Sequence, residues 1–354
     1  MFVEELRNND EWENFVLSSS KGTFFQTLRW KRILEKSFSL EPVYLVVRDS
    51  NENIVGICPF FVHKFWPFKI LDSLPFSDFG GPLIKEELNR EVSDLIKDCL
   101  GQLASKRGIT YARIRFSNSE LCEFFKSGSS EVATTTGVMS LDLKEKPANY
   151  IWNKVFTARG GQRKYIKRFE RDGFQSREAQ NVRDLDQFYV LYFDNMNYIG
   201  ASPYRPDFFK NIWISLYPEN FNVLLIEKKE ECVGAVASFI YNGALYNTYL
   251  GLDRKAHKKY HISYYLFWET IKFAQKKGLE CVHFGSTSSD PNAVHYSQKK
   301  NMGATFNQHY FLYIPFDQGL LHLRRKALMS WKRLRNRLPK SLVKKLEGEL
   351  KSIS

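Results

Sequence analysis

Hydrophobic residues in the first third of the chain follow the periods of strands and helices in alternation. Two β-rich runs, Val43–Arg48 and Ile54–Val62, flank the polar segment 49–53, and this pattern predicts a β-hairpin. Apolar residues recur at helical spacing within Glu87–Arg107, and Tyr111–Phe116 has the composition of a strand. The order strand, strand, helix, strand predicts an α/β unit.

The same order returns in the second half of the chain. Phe221–Glu227 and Cys232–Ile240 flank a charged turn, and an Asn-Gly pair, a strong hairpin signal, leads into Ala244–Leu250. Apolar residues spaced by three or four predict a helix over Lys258–Lys277, and Glu280–Phe284 reads as the following strand.

The two hairpins resemble each other. VYLVVRDSNENIVGICPFF and VLLIEKKEECVGAVASFI both read as strand, polar turn, Val-Gly, strand, which suggests two copies of one unit. We predict an α/β (α+β) fold with two domains, each a mixed, mostly antiparallel sheet flanked by helices, plus a basic C-terminal helix. The predicted ranges are 1–146, 147–318 and 319–354, with the first boundary placed at a charged, proline-containing turn.

Charge is concentrated at the C-terminal end. The 354-residue chain has a net charge of +13, and the segment 320–354 holds eleven Lys and Arg against two Glu, a net +9. This basic, amphipathic segment predicts an anionic partner, which could be either a membrane surface or tRNA. A helix docked on the protein body is the structural alternative.

The sequence also predicts the compartment. No apolar run reaches the ~18 residues of a membrane span, and the acidic N-terminus does not read as a signal peptide. Five separated cysteines without a CxxC motif predict reduced thiols and no metal site. We therefore expect a cytoplasmic protein, at the inner face of the plasma membrane if the basic segment binds lipid.

Three segments carry a resemblance to a known family. FFQTLRWKRIL, LPFSDFGGPLI and QKKNMGA resemble, in order and spacing, motifs of the FemAB-like (FemABX) aminoacyl and peptidyl transferases. These belong to the GNAT superfamily, together with BioF2-like and CelD-type acetyltransferases. The resemblance implies tandem GNAT-like domains with an acyltransferase second domain. The long charged coiled-coil arm of some members is absent, which excludes a tRNA contact through such an arm.

The turn Arg254–Ser263 bears on the acyl donor. In GNAT proteins the equivalent turn is glycine-rich and cradles the coenzyme A pyrophosphate, whereas here it is basic and lacks glycine. This favours aminoacyl-tRNA over acetyl-CoA as donor, with no bound cofactor.

The implied function is aminoacyl transfer from a charged donor to an amine of a cell-envelope, peptidoglycan-type precursor. One alternative is a CoA-dependent N-acyltransferase of exopolysaccharide or surface-sugar biosynthesis. A second is a catalytically silent GNAT-like binding module. The oligomeric state is not predicted.

Candidate catalytic residues lie in the segment 281–306. Lys299 falls on a functionally important lysine of the family motif, and its charge could stabilise an oxyanion or a donor phosphate. Asp290 could hold the amine or Lys299, although an Asp before proline also suits a turn. Lys300 is a candidate for substrate binding.

The other candidate substrate-binding residues lie elsewhere along the chain, and each has a structural alternative. Basic helix residues could instead form a solvated face, and the aromatic residues could belong to a core. These candidates are Arg163, Lys164, Tyr249, Ser263, Asp78 and Trp30.

Overall fold

The alternating strands and helices form two units in the structure. A computed structural model describes residues 1–65, 68–156 and 161–317, together with residues 319 and 326. The first unit contains residues 1–134 and the chain from residue 309 onward, and the second contains residues 135–308. Apart from residues 319 and 326, the predicted basic helix over 319–354 lies outside the described residues.

The strands are β1 (Phe2–Glu5), β2 (Glu41–Arg48), β3 (Ile54–Phe65), β4 (Phe68–Asp72), β5 (Leu83–Ile84), β6 (Tyr111–Phe116), β7 (Glu131–Ala133), β8 (Thr136–Asp142), β9 (Phe174–Glu178), β10 (Phe221–Lys228), β11 (Glu231–Tyr241), β12 (Ala244–Leu252), β13 (Cys281–Ser288), β14 (Thr305–Gln308) and β15 (Tyr310–Pro315). The helices are α1 (Asn9–Ser18), α2 (Leu28–Phe38), α3 (Asn89–Arg107), α4 (Ser119–Phe125), α5 (Ala148–Tyr150), α6 (Gln162–Arg171), α7 (Val182–Tyr198), α8 (Pro206–Leu216), α9 (Arg254–Tyr260), α10 (Ile262–Lys276) and α11 (Val294–Asn301).

The first unit is built on one mixed sheet. Its strand order is β1-β2-β3-β4-β6-β15-β7, with β5 paired to β3. The β4–β6 pair is parallel and the other pairs are antiparallel. Helix α3 buries Val92, Ile96 and Leu100 in the core that this sheet forms.

The second unit has a similar sheet, in the order β14-β8-β13-β12-β11-β10-β9. Among the strands described in this sheet, β12 and β13 run parallel and the other pairs are antiparallel. Helix α10 is buried along most of its length, including Ser263, Glu269 and Thr270, so it is a central helix and not a surface helix with one apolar face. The predicted fold class is confirmed.

One glycine in each unit occupies the same structural position. A Cβ atom on Gly56 would lie 2.7 Å from Val92 Cγ1, and one on Gly234 would lie 2.7 Å from Ile262 Cγ2. Val92 belongs to the first turn of α3 and Ile262 begins α10. The Val-Gly pairs noticed in the sequence therefore mark where the main helix of each unit approaches its sheet.

The observed units differ from the predicted domains at two strands, each of which pairs in the sheet of the other unit. Strand β8 lies before the predicted boundary at 146, yet it pairs with β13 and β14 of the second sheet. Strand β15 lies within the predicted second domain, yet it pairs with β6 and β7 of the first sheet. The chain changes sheet at His309, within a run that reads as one continuous strand in the sequence.

Candidate functional site

The parallel strands β12 and β13 separate after a short paired stretch. Their pairing begins at Ala244 and Cys281 and ends at Tyr246 and His283, although both strands continue beyond these residues. Strands that stay paired lie about 4.8 Å apart, so loss of pairing marks a divergence. The sheet therefore opens between the second halves of β12 and β13.

Strand β13 changes conformation where this opening begins. Its register with β8 shifts between His283 and Ser286, and Gly285 has a φ of 72°. A glycine suits this position because other residues adopt positive φ only with strain. The irregularity turns backbone carbonyl groups of β13 toward helix α11.

Lys299 meets these carbonyls. Its side chain is 7% exposed, and its Nζ atom donates hydrogen bonds of 3.1 Å to the carbonyl oxygens of both Gly285 and Ser286. An ammonium group is costly to bury unless it is hydrogen-bonded, and these two bonds offset part of that cost. Lys299 thus fixes the bent strand and places a positive charge beside the opening.

Ser263 is hydrogen-bonded to the residue that precedes this lysine. The Nε2 atom of Gln298 donates a hydrogen bond to Ser263 Oγ, which joins α11 to the first turn of α10. Ser263 is 2% exposed. The structure therefore links the predicted site residue Ser263 to α11, the helix that carries Lys299, through Gln298, a residue that was not predicted as part of the site.

Buried polar groups lie on the separated halves of the strands. Asn247 Oδ1 accepts a hydrogen bond of 2.8 Å from Ser238 Oγ. Asn247 Nδ2 and Thr287 Oγ1 are buried and have no hydrogen-bond partner among the described residues. Such groups are usually satisfied by protein, water or ligand. Asn247 and Thr287 were not predicted as site residues, because both lie within runs of strand-forming residues. The signal in the sequence was an Asn inside an otherwise largely apolar strand.

The glycine-free turn forms a helix and not an open loop. Within α9 and at its end, the amides of His257 and His261 donate to the carbonyls of Asp253 and His257, both at 2.8 Å. The amide of Ala256 donates to Asp253 Oδ1 at 2.6 Å. These amides are already hydrogen-bonded, so they are not available to cradle a phosphate.

The pKa values of two histidines are lowered, those of His295 on α11 and His257 on α9. Burial, followed by the charges of Lys299 and Arg254, lowers the pKa of His295 from its ordinary value of 6.5. Burial also lowers the pKa of His257 to about 4, with further contributions from Arg254, His261 and His295. Both imidazoles are therefore largely uncharged at pH 7 and can accept a proton.

The structure places Asp290 and Lys300 on the surface. Asp290 Oδ1 accepts a hydrogen bond of 2.9 Å from the amide of Asn292, and the amide of Asp290 donates to Ser288 Oγ at 3.2 Å. This arrangement is the turn that its position before proline suggested. Lys300 is exposed on α11, beside the buried Lys299.

The two candidates on α6 differ in their surroundings. Arg163 donates hydrogen bonds to the carbonyls of Asn153, at 3.1 Å, and Phe156, at 2.9 Å, so it supports the preceding turn. Lys164 is exposed. Its neighbour Gln162 donates to the carbonyl of Asn301 at 2.8 Å, which holds the start of α6 beside the end of α11.

Tyr249 is packed in an aromatic cluster. It is 5% exposed, and its ring centroid lies 5.1 Å from that of Phe209 and 6.1 Å from that of Tyr192, both in edge-on geometry. These neighbours belong to α8 and α7. Tyr249 therefore packs between β12 and helices α7 and α8.

Trp30 and Asp78 belong to the first unit. Trp30 is fully buried, and its Nε1 atom donates a hydrogen bond of 2.7 Å to Ser77 Oγ. Asp78 is the next residue and is partly exposed. Trp30 therefore supports the loop that presents Asp78.

Comparison with known proteins agrees with this geometry. Residues 158–292, all within the second unit, match the model of the acetyltransferase (GNAT) domain. The crystal structure of FemX has a TM-score of 0.71 to this chain at 14% identity, and covers 91% of this chain and 99% of its own. The second unit therefore contains a domain of the GNAT acetyltransferase type, and the chain shares the fold of FemX. The predicted resemblance and the predicted acyltransferase class are confirmed at this level.

Two further solved structures share this fold. A tandem GNAT protein from the clavulanic acid biosynthesis pathway has a TM-score of 0.58 at 10% identity, covering 88% of this chain and 97% of its own. The C-terminal domain of a putative lysylphosphatidylglycerol synthetase from Agrobacterium fabrum has a TM-score of 0.55 at 13% identity, covering 91% and 94%. No curated protein matches in sequence. Within the described residues, no helix has the length and hydrophobicity needed to span a bilayer.

Proposed function

We propose that this protein transfers an aminoacyl group from a charged tRNA to an amine of a cell-envelope precursor. The observation that carries the proposal is the opening between β12 and β13 with Lys299 beside it, in a domain of the GNAT type. The similarity to a putative lysylphosphatidylglycerol synthetase, whose name contains an aminoacyl group, supports the same class of reaction.

The structure of α9 supports RNA over coenzyme A as donor. A pyrophosphate cradle needs free backbone amides, and those of His257 and His261 are used within the helix. An aminoacyl ester needs no such cradle, because its RNA portion can be held by side chains elsewhere. These hydrogen-bonded amides favour an ester donor over a thioester donor.

The residues around the opening have complementary roles in this reaction. The amine attacks the ester carbon, a C–N bond forms and the C–O bond to the ribose breaks. The amine loses a proton, and the departing ribose oxygen takes one up as it becomes a hydroxyl group. Lys299 supplies positive charge near the developing oxyanion, and neutral His295, one turn earlier on α11, can accept the proton. Asn247 and Thr287 offer polar groups to the acyl portion.

The test presents each donor separately to the full-length protein. Radiolabelled aminoacyl-tRNA or acetyl-CoA is incubated with a nucleotide-linked peptide precursor that bears a free amine, and label in the precursor is counted. We expect transfer from aminoacyl-tRNA. Transfer from acetyl-CoA alone would favour the CoA-dependent alternative, which the acetyltransferase domain match supports, and would overturn the donor assignment.

A further inference from the structure

Three cations from separate elements surround the ring of Tyr260. The guanidinium of Arg168 on α6 lies 5.0 Å from the ring centroid, and the ammonium groups of Lys228 on β10 and Lys259 on α9 lie at 5.0 and 4.9 Å. Lys228 Nζ also donates to the Tyr260 hydroxyl at 3.5 Å. We name this group of four side chains the Tyr260 surface.

The Tyr260 surface carries more positive than negative charge. Lys228 and Lys259 form no ion pair with any carboxylate in the described part of the chain. Asp172 is nearby, but it is shared by Arg168, at 3.6 Å, and Arg171, at 3.1 Å. Like charges held around one ring repel each other. A polyanion that neutralised them would therefore gain both attraction and relief of this repulsion.

Further exposed cations extend the surface on both helices. Lys164 and Lys167 are exposed on α6, and Lys258 is exposed on α9. Tyr165 of α6 stacks on Tyr264 of α10 with ring centroids 5.4 Å apart, which keeps the two helices in a fixed relation. The additional cations thus belong to regular helices, the same two that contribute Arg168 and Lys259 to the Tyr260 surface.

The composition of this face suits nucleic acid better than lipid. Peripheral membrane helices combine basic residues with exposed apolar ones that insert into the bilayer. Of the exposed large hydrophobic residues among those described, none lies on α6, on α9 or in the turn 228–231. Phosphate contacts from Lys and Arg, by contrast, need no apolar insertion.

We propose that the Tyr260 surface binds the phosphate backbone of the RNA that carries the acyl group. This inference rests on the proposed function for the identity of the acyl donor. The surface adjoins the start of α10, where Ser263 is hydrogen-bonded to Gln298 beside Lys299. The first turn of α10 therefore connects the Tyr260 surface with the helix that carries Lys299.

The test measures binding of an uncharged RNA hairpin of about ten base pairs with a single-stranded 3′ end, by fluorescence anisotropy over a range of KCl concentrations. The variant is R168Q/K228Q/K259Q. A matched control, K36Q/K106Q/K210Q, removes three exposed lysines elsewhere. Loss of three phosphate contacts should flatten the slope of log affinity against log salt by about 2 to 3, and weaken binding at least ~10-fold near physiological salt. The control should keep the wild-type slope.

Several results would overturn the inference. Equal slopes for the variant and the control would show that the surface does not contact phosphates. Loss of binding to phosphatidylglycerol vesicles with unchanged RNA affinity would assign the surface to lipid. If the triple variant unfolds, the double variant K228Q/K259Q, which keeps Arg168, replaces it. Its slope of log affinity against log salt should change by about two thirds of the amount expected for the triple variant.

The assay also separates this inference from the proposed function. Uncharged RNA can bind through the surface even if no acyl transfer is detected, and then only the proposed function fails. If the triple variant transfers the acyl group with the wild-type dependence on RNA concentration, the surface assignment fails and the proposed function stands.

Discussion

Replacement of Lys299 by methionine would remove an ammonium group while keeping most of the side chain's length. In the native protein this group donates to the carbonyl oxygens of Gly285 and Ser286 and is almost fully buried. The substitution therefore tests the group that fixes the bend in β13. Lys300→Met is the matched control, because Lys300 is the next residue of the same helix and is exposed.

The magnitude follows from the two hydrogen bonds. A hydrogen bond to a charged group contributes about 1.5–3 kcal/mol, and its loss leaves a buried carbonyl without a donor. Removing the buried ammonium group also relieves its desolvation cost, which offsets part of this loss. We expect Lys299→Met to lower the free energy of unfolding by about 2–4 kcal/mol, and Lys300→Met to change it by less than ~0.5 kcal/mol.

Urea denaturation followed by tryptophan fluorescence measures this difference. In buffer without urea, where Lys299→Met is still folded, we also expect acyl transfer to fall by about 100-fold, the usual effect of losing one stabiliser of an oxyanion. Lys299→Arg retains a charged donor and should recover part of the stability. If Lys299→Met were as stable as Lys300→Met, the account of Lys299 as the residue that holds β13 would be refuted.

Three further predictions concern other parts of the second unit. Gly234→Ala should lower the free energy of unfolding by about 1–3 kcal/mol because its Cβ would lie 2.7 Å from Ile262 Cγ2, whereas Gly101→Ala, with no atom within 4 Å, should not. Burial holds the pKa of His283 at about 4, so below pH 6.5 the unfolded chain gains a proton that the folded chain does not. The free energy of unfolding should therefore fall by up to ~1.4 kcal/mol for each pH unit between pH 6.5 and pH 4. In His283→Gln this contribution to the pH dependence should be absent. Gln298→Ala removes the hydrogen bond to Ser263 and should lower the free energy of unfolding, measured by urea denaturation, by about 1 kcal/mol. An unchanged free energy of unfolding would contradict the importance of that hydrogen bond.

Much of the fold followed from the sequence because its determinants are local. The Val-Gly pairs at Gly56 and Gly234 revealed the repeat, and the structure gives their physical reason in close helix–sheet packing. The change of sheet at His309 could not be predicted, since Thr305 to Ile314 has one continuous strand pattern. Which sheet each half joins is decided by tertiary pairing with distant strands.

The sequence predicted the central lysine of the candidate site but not the residues around it. Lys299 was identified through a family motif, and its burial shows a constraint that the motif alone does not explain. Gln298 was not predicted, because its partner Ser263 lies 35 residues earlier in the chain and the pair forms only in the folded protein. The cations around Tyr260 come from three distant segments, and for the same reason they did not stand out.

The measurement that tests the central claim most directly is single-turnover transfer by the wild-type protein, with Lys299→Met alongside. Purified protein is mixed with tRNA charged with a radiolabelled amino acid and with an amine-bearing envelope precursor, and the product is identified by mass spectrometry. The account predicts a precursor extended by one aminoacyl residue through an amide bond, formed about 100-fold more slowly by Lys299→Met. Unmodified precursor with wild-type protein, under conditions in which acetyl-CoA does yield an acetylated product, would contradict it.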